Sequence, residues 1–291
     1  AACGDQEIFV GSGRGMGGSG SINGMVYTRG DKHDYAQWPQ GWQWDDNLPF
    51  FKKLEDRLGI QTKEPTVLTE KILGAAEMTG FMRKNELNDG ELCGYFGYNT
   101  LNNVNGRRSS YVAFLKESNS QNIRVETEAK LEKVNFKGKR AVSISYKQNG
   151  ISHAAECNKE VIFCAGTLET PKLLMLSGLG PADQLAKFGL PIVQDIPSIG
   201  RNLQDHTCVN ILFKGKKNAD FFHPQIYGFD RMNRHTDLPE GQADVCFTSV
   251  ASKITIKAAA LRLAPFEILS GKARFGGLAR SLLRVAIQFV F

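Results

Sequence analysis

Residues 11–24 read Gly11-Ser-Gly-Arg-Gly-Met-Gly-Gly-Ser-Gly-Ser-Ile-Asn-Gly24, with glycine at half of the positions. No helix or strand is stable at that glycine density, because the chain loses too much backbone freedom on ordering. The run is therefore a loop that bends sharply or lets bare backbone approach something closely. Whatever surrounds it must be built on that loop. The next stretch, 25–44, is charged and aromatic and holds all three tryptophans, Trp38, Trp42 and Trp44.

Composition narrows the class. The 291 residues are 42% hydrophobic and 23% charged, which fits a soluble globular chain of one large or two ordinary domains. The net charge of +6 suits an anionic ligand, or is simply a surface of mixed sign. No Lys/Arg block marks a nucleic-acid module. Cys3, Cys93, Cys157, Cys164, Cys208 and Cys246 form no C-x-x-C pair, and the five histidines do not cluster with them, so no metal site is expected. The compartment is open. The chain starts at Ala1 without a basic-then-apolar leader and stops at Phe291 inside the apolar run 281–291, which reads as an element cut through. A membrane-surface helix over 272–291 is the competing reading. No run reaches the roughly 18–20 apolar residues that span a bilayer.

Periodicity predicts the elements. Leu48, Phe51, Leu54 and Leu58 predict a helix capped by Asp45 or Asp46, with Pro49 in its first turn. A second helix is expected over 69–84 and a short one over 109–118. Strands are expected at 123–127, 131–136 and 140–147, with Gly138 and Asn149-Gly150 as hairpin turns, giving an antiparallel meander with one wet face. Glu160-Val-Ile-Phe-Cys-Ala-Gly166 is continuously apolar, as expected of a strand buried on both faces of a parallel sheet, with Cys164 in the core. A helix over 172–177 follows, with Thr170 as N-cap, Pro171 at its first position and Gly178 as its stop. Ligands of open α/β sheets bind beyond the carboxyl ends of such strands, so 165–170 is a candidate contact; the alternative is a turn that touches nothing. Residues 182–188 predict a helix stopped by Gly189, and 190–194 a strand. Alternation at 208–213 and helices at 258–269 and 278–291 are weaker expectations.

Gly13-Arg-Gly-Met-Gly-Gly18 matches G-x-G-x-x-G, and Glu7-Ile-Phe-Val10 before it is apolar enough for a strand. In a nicotinamide-binding fold a helix must follow, then a second strand with an acidic residue about 20 residues on. Here the next residues carry no apolar stripe at helical spacing, and Asp34 has no strand before it. An NAD-dependent Rossmann dehydrogenase, binding NAD through residues 7–34, is thus the weaker alternative.

Gly15-Met-Gly-Gly-Ser-Gly-Ser-Ile-Asn-Gly-Met-Val-Tyr-Thr-Arg-Gly30 resembles the first signature of the glucose–methanol–choline (GMC) oxidoreductases. Asp34-Tyr35, Trp38, Gly41-Trp42, Leu48-Pro-Phe-Phe-Lys-Lys-Leu-Glu55, Arg107, Ser109, Ala113-Phe-Leu115 and the 122–136 strands continue in that family's manner. Ala165-Gly-Thr-Leu-Glu-Thr-Pro-Lys-Leu-Leu-Met-Leu-Ser-Gly-Leu-Gly180 resembles the second signature, and Ile199-Gly-Arg-Asn-Leu-Gln-Asp-His206 the segment after it. The matches run in family order over most of 13–206.

The resemblance implies an FAD-dependent oxidoreductase acting on the CH–OH group of a small alcohol, choline dehydrogenase-like. Its fold would be α/β: an incomplete Rossmann-like FAD-binding domain (1–44 and 105–206) with part of an α+β substrate domain or lid (45–104 and 207–291). Gly17, Gly18 and Ser19 would lie near the FAD pyrophosphate, which suits a nest of backbone N–H groups. Asn23, Gly24 and Met25 would sit near the flavin ring, and Ala165, Gly166 and Thr167 near the adenosine. Leu131 stands where the family usually has a valine whose backbone meets the adenine. The competing reading of Asn23 is a turn residue, and of Leu131 a core residue.

The family's proton-accepting histidine comes from its C-terminal part. His33, His153, His206, His223 and His235 do not match that position, so no catalytic residue is assigned. The family's own dinucleotide fingerprint lies upstream of the first signature, and residues 1–12 match no motif. The 291 residues alone are therefore expected to be poorly stable and to bind FAD weakly or not at all. Substrate identity and the electron acceptor, oxygen or a quinone or another carrier, are not readable. A catalytically inactive descendant that keeps the scaffold to bind a partner is the other alternative.

Overall fold

The computed structural model describes residues 11–102, 106, 109–118, 121–209, 211, 225–233, 235 and 237–249. In chain order the elements are β1 (Val26–Tyr27), α1 (Lys32–Tyr35), α2 (Trp44–Leu58), β2 (Gln61–Thr62), α3 (Val67–Met78), β3 (Met82–Lys84), β4 (Tyr95–Tyr98) and β5 (Thr100–Leu101). After a π-helical segment, Tyr111–Lys116, come β6 (Ala129–Lys137), β7 (Arg140–Gln148), β8 (Ile151–Glu156), α4 (Gly166–Leu176), β9 (Leu179–Gly180), α5 (Ala182–Lys187) and β10 (Gln194–Asp195). The last two strands are β11 (Ile226–Asp230) and β12 (Val245–Thr248). The chain is mixed α/β and forms two compact units, residues 1–119 with 212–291, and residues 120–211.

In the first unit, β12-β11-β4-β3 form one sheet. β11 runs antiparallel to both β12 and β4, and β3 runs parallel to β4. Leu73 and Ala76 of α3 pack with Phe96, Tyr98 and Ile226 to make the core. Phe81 stands edge-on to both Phe96 and Phe247, a favoured aromatic geometry. A second small sheet orders β1-β5-β2 and ties the end of the glycine loop to the strand at 100–101.

α2 forms where the spacing of Leu48, Phe51, Leu54 and Leu58 predicts it, but its cap differs. Gln43 is the N-cap, and Asp46 reaches back to accept its backbone N–H at 3.0 Å. An acceptor at the third helical position suits the orphan donors there. Pro49 consequently lies in the second turn, not the first. Gly59, in the left-handed region, closes the helix by donating to Glu55 O. The expected helix over 69–84 is α3, which spans 67–78; the chain turns at Gly80 (φ +99°), and 82–84 become β3 instead.

The second unit is built on the meander β6-β7-β8, antiparallel throughout. Its β7–β8 turn has Asn149 and Gly150 both at positive φ (51° and 82°), as the Asn-Gly pair requires. Buried Val134, Leu173 and Leu185 are the apolar centre of this unit. Val134 N–H donates to Ser177 Oγ (2.9 Å), which itself donates to Leu173 O (2.6 Å). β9 and β10 pair in parallel over two residues, so the strand expected at 190–194 begins only at its last position.

Other expectations need correction. Residues 160–165 are not a buried strand: Ile162 is 75% exposed, Cys164 is exposed, and no described strand pairs with the segment. A strand buried on both faces needs parallel neighbours and covering helices, and none is supplied among the described residues. Residues 123–127 are likewise unpaired, with Ile123 and Val125 half exposed. α4 starts at Gly166 with Ala165 as N-cap, so neither Thr170 nor Pro171 opens it, while Gly178 (φ +89°) does end it. The strand at 7–10, most of 208–213 and the helices at 258–269 and 278–291 lie outside the described residues.

Candidate functional site

The glycine loop is a self-braced structure. Gly18 N–H donates to Gly15 O (3.0 Å), and Ile22 and Asn23 N–H both donate to Ser19 O. Ser19 Oγ accepts from Gly13 N–H at 3.0 Å, and Ser21 Oγ donates to Met16 O at 2.9 Å. The fold-back is tight on its inner side. A Cβ on Gly13 would lie 2.3 Å from Gly18 O, and one on Gly17 2.2 Å from Ser21 Oγ and 3.1 Å from both Ser109 Oγ and Tyr111 Cβ. Gly17 also sits at φ +84°, a region that side chains disfavour.

The other side of the loop is open. Among the described residues, a Cβ on Gly15 would meet nothing within 4 Å, and on Gly18 or Gly20 nothing nearer than 4.0 Å. Glycine here keeps side chains off a stretch of backbone that has room in front of it. That is the cradle a pyrophosphate needs, since backbone dipoles can approach its oxygens only where no Cβ intervenes. The residues present therefore fit a dinucleotide.

Only four residues at 18–21 follow as a 3₁₀ turn, and Asp34 lies on the short α1. A nicotinamide-type start needs a full helix opening behind Gly18. Its absence removes that reading of G-x-G-x-x-G.

Beyond the turn, Asn23 Oδ1 accepts from Met25 N–H at 3.0 Å. This holds Met25 at φ +66°, where a non-glycine residue is uncommon. Asn102 N–H then donates to Met25 O, and β1 pairs with β5. Gly24 and Asn23 are exposed and Met25 is half buried. Asn23 thus acts as the turn residue that fixes the backbone of 23–25.

The loop's exit is anchored by Arg29. Its guanidinium grips Glu55 of α2 with Nε–Oε1 at 2.5 Å and Nη2–Oε2 at 2.6 Å, and donates to Asn88 O at 2.6 Å. Tyr27 donates to the same carboxylate at 3.0 Å. Hydrogen bonds from Arg29 hold the Glu55 carboxyl below the usual carboxylate range, while burial and Glu55 push the Tyr27 phenol up. Asn88 Nδ2 reaches Thr100 Oγ1, and Thr100 donates to Tyr27 O, closing the network.

The remaining predicted residues belong to the second unit. Leu131 is half buried on β6 opposite Tyr146, next to a register shift. Ala165, Gly166 and Thr167 form the exposed start of α4, and among the described residues a Cβ on Gly166 would meet nothing within 4 Å. The structure thus brings Gly17, Gly18, Ser19, Asn23, Gly24 and Met25 together in one loop, and Leu131 with 165–167 in the other unit. Ser109 and Tyr111 at the inner side of Gly17 were not singled out as site residues; the Arg107/Ser109 motif was the available signal. Among the described residues no group of His, Cys, Asp and Glu could hold a metal ion. None of the described helices is long and apolar enough to cross a membrane.

Comparison with known proteins defines the class. The chain is 32% identical over 263 residues to the oxygen-dependent choline dehydrogenase of Burkholderia thailandensis, covering 80% of this chain and 46% of that protein. It is 33% identical over 242 residues to the Escherichia coli protein of the same name, covering 75% and 44%. Among solved structures, pyridoxine 4-oxidase from Mesorbium loti superposes with a TM-score of 0.61 at 30% identity, over 67% of this chain and 42% of that one. An FAD-dependent oxidoreductase from Chaetomium thermophilum gives 0.62 at 26% identity, over 70% and 41%. The class these neighbours share is the oxidoreductases. Residues 1–208 match the family described as GMC oxidoreductase, and the chain belongs to that family, whose cofactor is FAD. The match starts at residue 1, so the first twelve residues, which carry no recognisable motif, are part of it. The chain spans less than half the length of these curated relatives.

Proposed function

We propose that this chain supplies part of the FAD site of an oxidoreductase acting on the CH–OH group of a small alcohol. The observation that carries the reading is the glycine loop, whose inner side is closed by Gly13 and Gly17 while its outer side is bare backbone with open space before it. Bound there, FAD supplies the hydride acceptor. Gly17 and Ser19 offer backbone N–H groups to the pyrophosphate and Gly18, whose N–H is held by Gly15 O, keeps the approach free of a side chain, with the Ser19 hydroxyl bracing the loop from Gly13. Asn23 fixes Gly24 and Met25 so that their backbone meets the flavin ring at one orientation. Ala165, Gly166 and Thr167 take the adenosine at the exposed start of α4, with the Leu131 backbone beside the adenine. Residues 1–44 and 105–206 belong functionally to the cofactor side, and 45–104 and 207–291 to the substrate side. No histidine of the chain is assigned the proton-accepting role. The choline dehydrogenase relatives favour a choline-like primary alcohol as substrate.

Purification of the protein carrying this sequence tests the reading. It should release FAD on denaturation, and anaerobic mixing with a primary alcohol should bleach its visible flavin absorbance. Release of a nicotinamide nucleotide, or of no nucleotide at all, would sink the proposal.

A further inference from the structure

The last turn of α2 braces the glycine loop from two directions. Glu55 holds Arg29 at the loop's exit. Two residues on, Arg57 points to a different partner. Its Nε donates to Ala113 O at 3.0 Å, and its guanidinium carbon lies 5.4 Å from the Phe114 ring centroid. Both partners sit within the π-helical segment Tyr111–Lys116. π-Helical turns are rare, because each widens the helix and leaves carbonyls poorly paired, and they concentrate at functional sites.

This segment matters because of what precedes it. Ser109 and Tyr111 close the inner side of Gly17, each with an atom 3.1 Å from the position a Cβ would take, and Ser110 Oγ lies 4.0 Å from the corresponding position at Gly20. Ser109 O in turn accepts from Ala113 N–H at 3.0 Å, so the residue whose carbonyl Arg57 holds is bonded directly to the residue backing Gly17. Ala113 is fully buried, which leaves its backbone no solvent route for adjustment. Arg57, Ala113 and Ser109 are therefore joined by hydrogen bonds, and Ser109 stands where it would crowd any Cβ on Gly17.

We propose that Arg57 is a positioning residue for the dinucleotide: it sets the π-helical turn that backs Gly17 in the conformation receiving the pyrophosphate, without touching the cofactor. The proposal deepens, and rests on, the assignment of the loop to FAD. Arginine suits the task better than lysine, since its planar fork can donate along one edge while its face stacks on an aromatic ring.

The test uses the full protein with Arg57→Ala, Arg57→Lys and Phe114→Leu. FAD affinity is measured by quenching of flavin fluorescence on titration into apoprotein, alongside the visible circular dichroism of the bound flavin and the apoprotein's thermal midpoint. Arg57→Ala should weaken FAD binding roughly tenfold, the value of one charge-assisted hydrogen bond, and alter the flavin dichroism. Because the side chain is exposed, the apoprotein's melting should stay within a few degrees of the unaltered protein. Arg57→Lys should recover part of the affinity, and Phe114→Leu should give a smaller loss in the same direction. Unchanged affinity and dichroism in Arg57→Ala overturn the positioning role while leaving the FAD assignment standing. Absence of FAD from the unaltered protein overturns both.

Discussion

Arg29 and Glu55, 26 residues apart in sequence, form a two-pronged ion pair in which each oxygen of the carboxylate faces a different guanidinium nitrogen, at 2.5 and 2.6 Å. Their side chains are only 13% and 12% exposed. The pair explains why the Thr28-Arg29-Gly30 end of the first signature and the Leu48–Glu55 helix occur together. One fixes the exit of the glycine loop, and the other is the rigid element it is fixed to.

Removing one partner leaves a charge without compensation. Glu55→Gln should destabilise the first unit by about 3 kcal/mol, measured by urea unfolding at neutral pH. The pH dependence has a definite sign. Because Arg29 depresses the folded-state pKa of Glu55, its contribution is present above the ordinary carboxylate value and is lost as pH falls through the folded value. The unaltered protein should therefore lose stability from about pH 5 downward, and Glu55→Gln should show less of that loss. Equal acid sensitivity in both proteins would remove the pair from this role.

Gly13 tests the loop without touching its open side. A Cβ at this position would meet the backbone of Gly18 and Ser19 at 2.3–2.7 Å, and backbone cannot swing away as a side chain can. Gly13→Ala should force the fold-back open and lower FAD retention at least about tenfold, with flavin content after gel filtration as the readout. The core at Leu73 and Ile226 does not depend on this loop, so the far-ultraviolet dichroism should be unchanged.

What the sequence disclosed was local. The Asn149-Gly150 hairpin needs two adjacent residues that accept positive φ, and α2 needs only its own apolar stripe, so both are visible in a short window. The sheet β12-β11-β4-β3 was not visible. It brings residue 82 beside 95, and 96 beside 228, and Gly228 is chosen because the Phe96 ring would lie 2.1 Å from any Cβ there. Such a reason exists only once the strands are paired. The reading of 160–165 failed for the opposite cause: an apolar run signals a capacity for burial, but burial requires neighbours, and Ile162 is left 75% exposed. Of the site, the glycine loop was legible from composition. Ser109 stood in a motif with no role attached, and the backing by Tyr111 and Arg57 was not visible, because it depends on a turn about 90 residues downstream folding against Gly17.

Tyr98 gives an alkaline counterpart to Glu55. Burial, and then the hydrogen bond it donates to Glu70, push its phenol up to about 12. A raised pKa means the folded state holds the proton more tightly than the unfolded chain. Tyr98 therefore adds stability below the ordinary tyrosine value of about 10, and this is lost as pH rises from there toward 12. Tyr98→Phe should flatten the fall in thermal midpoint over that window relative to the unaltered protein. Spectrophotometric titration should show one fewer late-ionising phenol.

Ser177 carries the second unit's most exacting polar requirement. Val134 is buried on β6, and its N–H turns away from the β7 ladder to donate to Ser177 Oγ at 2.9 Å. The hydroxyl passes the bond on to Leu173 O at 2.6 Å, so one side chain serves a strand donor and a helix carbonyl together. Ser177→Ala keeps the volume nearly constant but strands a buried N–H, which costs about 1–3 kcal/mol. Ser177→Thr keeps the hydroxyl and adds a methyl beside Leu173, so it should lose less. Amide exchange resolves the two outcomes locally: the Val134 amide should exchange much faster in Ser177→Ala, while amides around Leu73 in the first unit keep their rates. If the Val134 amide were equally protected in both proteins, the hydroxyl would not be its partner in solution, and the joint between β6 and α4 would rest on Leu173 packing alone.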